Sequence, residues 1–165
     1  MHKVYIGIGT NIEPRSSRMN EAIAALEDLG TLTQRSSIYE TAPVGYSEQP
    51  DFLNAVVLLT TPMEVGNLHT ELRRLELRLG RTTRPRWHER EIDFDILFFD
   101  ELQLVSDELV IPHPESIHRS FVLIPMAEIT PEYVHPVLNE TIEVLLKKLT
   151  VPAGSIQLFN GIERP

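Results

Sequence analysis

The chain has 165 residues, 42% of them hydrophobic, with 15 Lys+Arg against 24 Asp+Glu and a formal net charge of -9. That suits one domain, residues 1–165, with a sizeable core, and no apolar run approaches the roughly 20 residues a bilayer-spanning helix needs. The acidic balance argues against nucleic acid as a partner, the lack of cysteine excludes disulfides and thiolate metal sites, and an N-terminus that reads as a strand rather than a signal peptide makes a reducing cytoplasm the expected compartment.

Residues 3–9 read as a strand (Val4, Ile6, Ile8) ending at Gly9-Thr10-Asn11. The stretch Gly7-Ile8-Gly9-Thr10-Asn11-Ile12 lacks the third glycine of a dinucleotide fingerprint and the Gly-Lys-Ser/Thr of a Walker loop, so it reads as a tight exit from that strand. Met19, Ala22, Ile23, Leu26 and Leu29 recur at helical spacing, with Ser16 or Ser17 as N-cap and Gly30 as the stop. Residues 33–41 form a weaker strand and 52–59 one of strong β formers. Thr61-Pro62 then opens a helix striped by Leu68, Leu72, Leu75 and Leu79 and ended by Gly80. An arginine-rich loop leads into a strand within 90–99, followed by a hairpin that turns at Asp100-Glu101 into 102–105. The run 109–112, two short helices near 120–128 and 140–149, and a strand near 155–159 complete the chain. The order strand, helix, strand, strand, helix, strand predicts an α+β, ferredoxin-like fold with a largely antiparallel sheet, the C-terminal helices covering its second face.

The densest chemistry is in Arg90-Glu91-Ile92-Asp93-Phe94-Asp95-Ile96. In a strand Asp93 and Asp95 share one face and Ile92, Phe94 and Ile96 the other. Two adjacent carboxylates repel, so they fit either a solvated acidic edge or a site for a cation such as Mg²⁺, which takes one or two carboxylates plus phosphate oxygens. Seven arginines precede the pair: Arg73, Arg74, Arg78, Arg81, Arg84, Arg86 and Arg90. The first three lie on the predicted helix and suit surface ion pairs such as Glu71 with Arg74 or Arg78. Arg81, Arg84, Arg86 and Arg90 lie in a loop of helix breakers and suit bidentate phosphate binding.

Asn54 is the sole polar residue of its strand, fitting either an exposed strand start or the edge of a flat heterocycle stacked on an aromatic such as Phe52. Trp87, the only tryptophan, is an anchor or a ligand lid within the arginine loop. His113 is fixed between Pro112 and Pro114 and can bond a phosphate or a nearby carbonyl. Arg119 and Phe121 follow at i+2 spacing. His2, His69, His118 and His135 show no zinc-site arrangement, and there is no serine-histidine-aspartate elbow.

These residues resemble the 6-hydroxymethyl-7,8-dihydropterin pyrophosphokinase family of folate biosynthesis along nearly the whole chain. The resemblance is carried by Tyr5-Ile6-Gly7-Ile8-Gly9-Thr10-Asn11, by Ser37-Ile38-Tyr39-Glu40-Thr41-Ala42-Pro43-Val44-Gly45, by Gln49-Pro50-Asp51-Phe52-Leu53-Asn54, by Glu76-Leu77-Arg78-Leu79-Gly80-Arg81, by Arg86-Trp87, by Arg90 through Ile96, and by Ile111-Pro112-His113-Pro114. It implies transfer of the β,γ-diphosphate of ATP to the hydroxymethyl group of the dihydropterin, with release of AMP. It also implies a three-layer αβα fold with mobile catalytic loops. By resemblance, Asp93 and Asp95 hold two Mg²⁺ ions. Arg81, Arg90 and Trp87 join them as catalytic residues. Glu76, Arg81, Arg84, Arg86, Arg90, Ile96, His113 and Arg119 contact the nucleotide. Thr41, Ala42, Pro43, Val44, Phe52, Asn54, Asp93 and Phe121 bind the pterin. A monomer is expected.

The chain departs from that pattern in places. Phe52 stands where tyrosine is common, Pro114 where some members have tyrosine, and Glu108 where an arginine can flank the nucleotide. The arginine loop is one residue shorter than in some members, which leaves open whether Arg84 or Arg86 is its phosphate-binding arginine. Two other classes fit parts of the pattern: a ligand-binding module without turnover, which leaves the arginine–aspartate constellation unexplained, and a two-metal phosphodiesterase, against which the acidic charge counts.

Overall fold

A computed structural model describes residues 1–45, 48–84 and 88–161. In chain order the elements are β1 (His2–Thr10), α1 (Arg15–Ala25), β2 (Thr31–Arg35), β3 (Tyr39–Thr41), β4 (Phe52–Thr61), α2 (Val65–Arg78), β5 (Asp93–Phe99), β6 (Leu104–Val105), β7 (Val110–Ile111), α3 (Ser120–Ile129), α4 (Ile142–Lys148) and β8 (Ile156–Leu158), with a 3₁₀ turn at Leu26–Asp28 after α1. One sheet runs β5-β1-β4-β3-β8, with β2 also paired to β4, and every pairing in it is antiparallel. None of the described helices is long and apolar enough to cross a membrane.

The alternation of side chains divides the interior into two layers. Val4, Ile6 and Ile8 of β1, Leu53, Ala55, Val57 and Leu59 of β4, and Phe94 and Ile96 of β5 face α1 and α2, where Met19, Ala22, Leu68 and Leu72 meet them. Tyr5, Val56, Leu58, Leu97 and Phe98 face α3 and α4 through Val122, Leu123, Met126, Ile142 and Leu145. The result is the expected αβα sandwich. A register shift opposite Tyr5/Ile6 explains why the consecutive Leu97 and Phe98 both pack in the second layer.

Several local expectations are corrected. The single strand read at 33–41 is two strands on β4, interrupted at Ser36, whose N–H donates to the Val56 carbonyl and whose hydroxyl accepts the Val56 N–H. Helix α1 begins at Arg15 after Pro14, not at a serine cap. Arg15 is buried there: its guanidinium reaches Glu40 of β3 at 2.9 Å and the Asp51 carbonyl at 2.9 Å, tying the helix start to both edges of the chain entering β4. Thr61 does not cap α2. It ends β4 and donates its hydroxyl to the Leu29 carbonyl at 2.6 Å, and the helix starts three residues past Pro62. The turn at Asp100 does not fold 102–105 back on β5. Leu104–Val105 pairs instead with Val110–Ile111.

At the far end from the cavity described below, buried His135 accepts the backbone N–H groups of Val137 and Leu138 on Nδ1, each at 3.2 Å, and packs edge-on against Phe98. Burial pushes its pKa below 6.5, with only its own backbone hydrogen bond pulling the other way. A histidine held neutral in the fold stabilises fully above its unfolded value and loses that contribution as pH falls below it, because the unfolded chain takes up the proton first. His135→Asn should therefore lower the melting temperature most near about pH 7.5, and the gap to wild type should narrow towards about pH 5.5. Melting curves that show a pH-independent gap would sink this assignment.

Candidate active site

The interior face of β1 that looks towards α3 carries almost no side-chain bulk beyond Tyr5. Gly7 lies opposite Asp95 on β5 and Val56 on β4, and Gly9 opposite Asp93 and Asn54. A Cβ on Gly9 would come 3.3 Å from Asn54 Oδ1, and one on Gly7 would come 3.4 Å from the Leu97 side chain. The two glycines are thus not an exit turn. They lie within the strand and clear the floor of a cavity of about 290 Å³. Around that floor stand Thr41, Ala42, Val44, Phe52, Asn54, Phe121 and Val122 on one side and His88, Arg90, Asp93, Asp95, Leu97, His113 and Arg119 on the other.

The first wall is suited to a flat polar ring. Asn54 is buried and donates to the Thr41 hydroxyl at 2.7 Å, which fixes its amide so that Oδ1 is turned towards the floor near Gly9. Of its two readings, the exposed strand start is excluded. Phe121 stands in the cavity wall with the Arg119 guanidinium 5.6 Å over its ring. Pro43 does not line the cavity, while Val44 is half exposed at its mouth.

The second wall is electrostatic. Burial pushes Asp93 up to about pKa 6. The Arg81 guanidinium pulls against that shift, Asp95 and Glu76 add to it, and Arg90 opposes it. Asp93 Oδ1 lies 2.8 Å from Arg81 Nη1 but at an angle that leaves it without a hydrogen bond, and Arg90 Nε is 3.5 Å from Oδ2. A buried carboxylate oxygen lacking a hydrogen bond, next to a second carboxylate on the same strand face, is what a divalent cation would relieve. No group of three or more potential ligands forms among the described residues. A Mg²⁺ ion here would therefore complete its shell with ligand oxygens and water, as it commonly does. The residues present fit that ion.

Glu76 organises this wall from below. It is buried on α2, accepts the Phe94 N–H of β5 at 2.8 Å and both Arg73 contacts at 2.7 and 2.8 Å, and pairs with Arg81. Gly80, at φ 92, turns the chain so that the Arg81 N–H reaches the Glu76 carbonyl at 2.9 Å. Arg73 is thereby removed from the surface role expected of it: it also donates to the Phe94 carbonyl at 2.9 Å. Arg74 does pair with Glu71, at 2.5 Å, whereas Arg78 reaches Asp28 instead. Arg84 is paired with Glu91 at 2.7 Å.

His113 is placed by its own N–H, which donates to the Leu97 carbonyl at 2.9 Å, and its Nδ1 accepts the Glu115 N–H at 3.2 Å. Burial lowers its pKa, Asp95 and Glu115 raise it and Arg119 lowers it, so the ring is neutral with Nε2 as its N–H donor. Ile96 faces the α1/α2 layer, on the opposite side of the sheet from the aspartates, and its side chain is not brought to the cavity. Arg86 and Trp87 lie outside the described residues. Sequence reasoning missed the two floor glycines and His88. Period-two alternation was the available signal for the glycines, and proximity to Trp87 and Arg90 the signal for His88.

Residues 5–131 match the family described as 7,8-dihydro-6-hydroxymethylpterin-pyrophosphokinase. The chain is 42% identical over 127 residues to a 2-amino-4-hydroxy-6-hydroxymethyldihydropteridine pyrophosphokinase of Bacillus subtilis, covering 76% of each chain. It is 33% identical to the Aquifex aeolicus protein of the same name, covering 87% of this chain and 89% of that one. It is 39% identical to a mitochondrial folate synthesis bifunctional protein of Arabidopsis thaliana, covering 98% of this chain but 29% of that one. Among solved structures, Plasmodium falciparum HPPK-DHPS with pteroate superposes with a TM-score of 0.72 at 19% identity, over 89% of this chain and 42% of that one, a likeness of fold. The chain belongs to the 7,8-dihydro-6-hydroxymethylpterin-pyrophosphokinase family.

Proposed function

We propose that the chain carries out its family's reaction in the cavity over Gly7 and Gly9: the hydroxymethyl oxygen of 6-hydroxymethyl-7,8-dihydropterin attacks the β-phosphorus of ATP, the α–β bridge breaks, and AMP leaves. The observation that carries this reading is the convergence, over a floor without side chains, of a ring-reading wall and a phosphate-reading wall. The carboxyamide of Asn54, held by Thr41, reads the edge of the pterin, and Phe121 offers its ring as a stacking face. Thr41, Ala42, Val44 and Phe52, which line the cavity, border that ring.

Asp93 and Asp95 are the residues that would hold Mg²⁺, two ions by family resemblance. When bound, the metal supplies charge neutralisation at the phosphate oxygens and acidity at the attacking hydroxyl. Arg81 and Arg90 flank Asp93 and present guanidinium groups to phosphate oxygens. His113, neutral, donates Nε2–H, and Arg119 adds a charge from the start of α3. Glu76 acts through Arg81, holding it in place. Diphosphate transfer demands positioning and charge balance more than covalent help from the protein, and this wall provides both. By family resemblance Arg86 and Trp87 contribute to phosphate binding, and the enzyme works as a cytoplasmic monomer.

Incubation with ATP, Mg²⁺ and 6-hydroxymethyl-7,8-dihydropterin should yield AMP only when the pterin is present, and EDTA should abolish the product. AMP formation without pterin would instead indicate a phosphodiesterase. Asp95→Ala should lower AMP formation by at least about 100-fold while pterin binding, followed by calorimetry, stays close to wild type. A near wild-type rate would remove Asp95 from the metal pair. Gly9→Val should raise the pterin KM by about tenfold or more with an unchanged circular dichroism spectrum, because its branches would fill the floor beside Asn54. An unchanged KM would place the ring elsewhere.

A further inference from the structure

The loop between α2 and β5 holds a buried carboxylate that the transfer does not use. The Glu91 side chain is 8% exposed, two residues before β5. Its Oε1 lies 2.7 Å from Arg84 Nη2 and accepts the Thr82 hydroxyl at 3.0 Å, while Oε2 accepts the Thr82 N–H at 3.3 Å. The Glu91 carbonyl in turn accepts the Thr10 hydroxyl at 2.7 Å, so the acceptor is anchored to the end of β1. Arg84 also donates through Nη1 to the Glu89 carbonyl at 3.4 Å. Residues 82 and 84, on the outgoing limb of the loop, are thus fastened to residues 89 and 91 on the returning limb. Just outside and inside that fastening are Arg81 and Arg90, whose guanidinium groups both face Asp93.

A guanidinium drawn away from Glu91 would leave a desolvated carboxylate with no cation paired to it, held by Thr82 and its own backbone N–H, a larger loss than parting a surface ion pair. We propose that Glu91 is a positioning residue for the nucleotide: it staples Thr82 and Arg84 across the loop, thereby setting Arg81 and Arg90 about Asp93, and Arg84 serves the staple rather than the phosphates. The proposal rests on the nucleotide reading above, and it assigns Arg84 a role distinct from that of a phosphate ligand.

Calorimetry with a non-hydrolysable ATP analogue and Mg²⁺, together with KM values for both substrates, on wild type, Glu91→Ala, Glu91→Gln, Arg84→Gln and the double variant Glu91→Ala/Arg84→Gln tests it. Glu91→Ala and Arg84→Gln should each weaken the analogue by about tenfold and raise the ATP KM alike, with the pterin KM at saturating ATP unchanged. The double variant should be no worse than the weaker single variant, since both remove one staple. Glu91→Gln, which keeps an acceptor for Thr82, should fall between. An Arg84→Gln loss well beyond that of Glu91→Ala, with additive losses in the double variant, would make Arg84 a phosphate ligand and overturn the proposal. So would Glu91→Ala binding the analogue as tightly as wild type. If Glu91→Ala does not fold, the double variant Glu91→Gln/Arg84→Gln decides: a loss equal to that of Arg84→Gln alone supports the staple, and additive losses overturn it. Wild-type protein that fails to bind the analogue sinks the nucleotide reading and this one with it, whereas wild-type binding with the additive pattern sinks the staple alone.

Discussion

Strand β1 puts Val4, Ile6 and Ile8 into the layer under α1 and α2, and towards α3 it offers only Gly7 and Gly9 past Tyr5. That asymmetry is the constraint on which the rest depends. A central strand must pair on both sides, here with β4 and β5, so the residues flanking the glycines come from two different strands. Asn54 arrives from one and Asp93 and Asp95 from the other, at a separation set by strand spacing. The first layer supplies the apolar burial that makes the sheet rigid, and the second is left hollow where the glycines are. The cavity is therefore a consequence of the core's layout.

Charge within the cavity is balanced by the same economy of placement. Asp93 is partly buried between two arginines and beside a second aspartate, and its carboxyl is pushed up to about pKa 6 because desolvation outweighs the guanidinium groups. Glu76 neutralises Arg73 and Arg81 from beneath while binding the backbone of β5, so Arg81 is shared between Glu76 and Asp93. Glu91 repeats the device one turn of the loop further on. Two buried glutamates, each held by arginine and by a backbone N–H, tie the described residues of the basic loop to β5 and to one another.

Much of this was legible before any coordinates. The period of two in 92–96 put the aspartates on one face and Ile96 on the other, and both placements hold. The leucine stripe of α2 and the order of elements predicted the sandwich. The failures share a cause: they concern residues whose roles are set by neighbours distant in sequence. Ser36 breaks a strand because Val56 is 20 residues away. Arg73, still partly exposed, is drawn towards β5 by the Phe94 carbonyl, 21 residues away. Gly7 and Gly9, read as the end of the first strand, gain their role only from Asp95 and Asn54 on the neighbouring strands.

The order of the main elements, the α+β class, the family and the residue types of the site were set by the amino-acid sequence alone, since propensity, periodicity and motif are local properties. Only the tertiary structure decided which carboxylate is buried, which arginines face it, that Asn54 is turned by Thr41 towards the cavity floor, and that Arg84 is committed to Glu91. Those outcomes depend on burial and on contacts across β1, β4, β5 and the loop before β5, and such distances exist only once the chain has closed on itself.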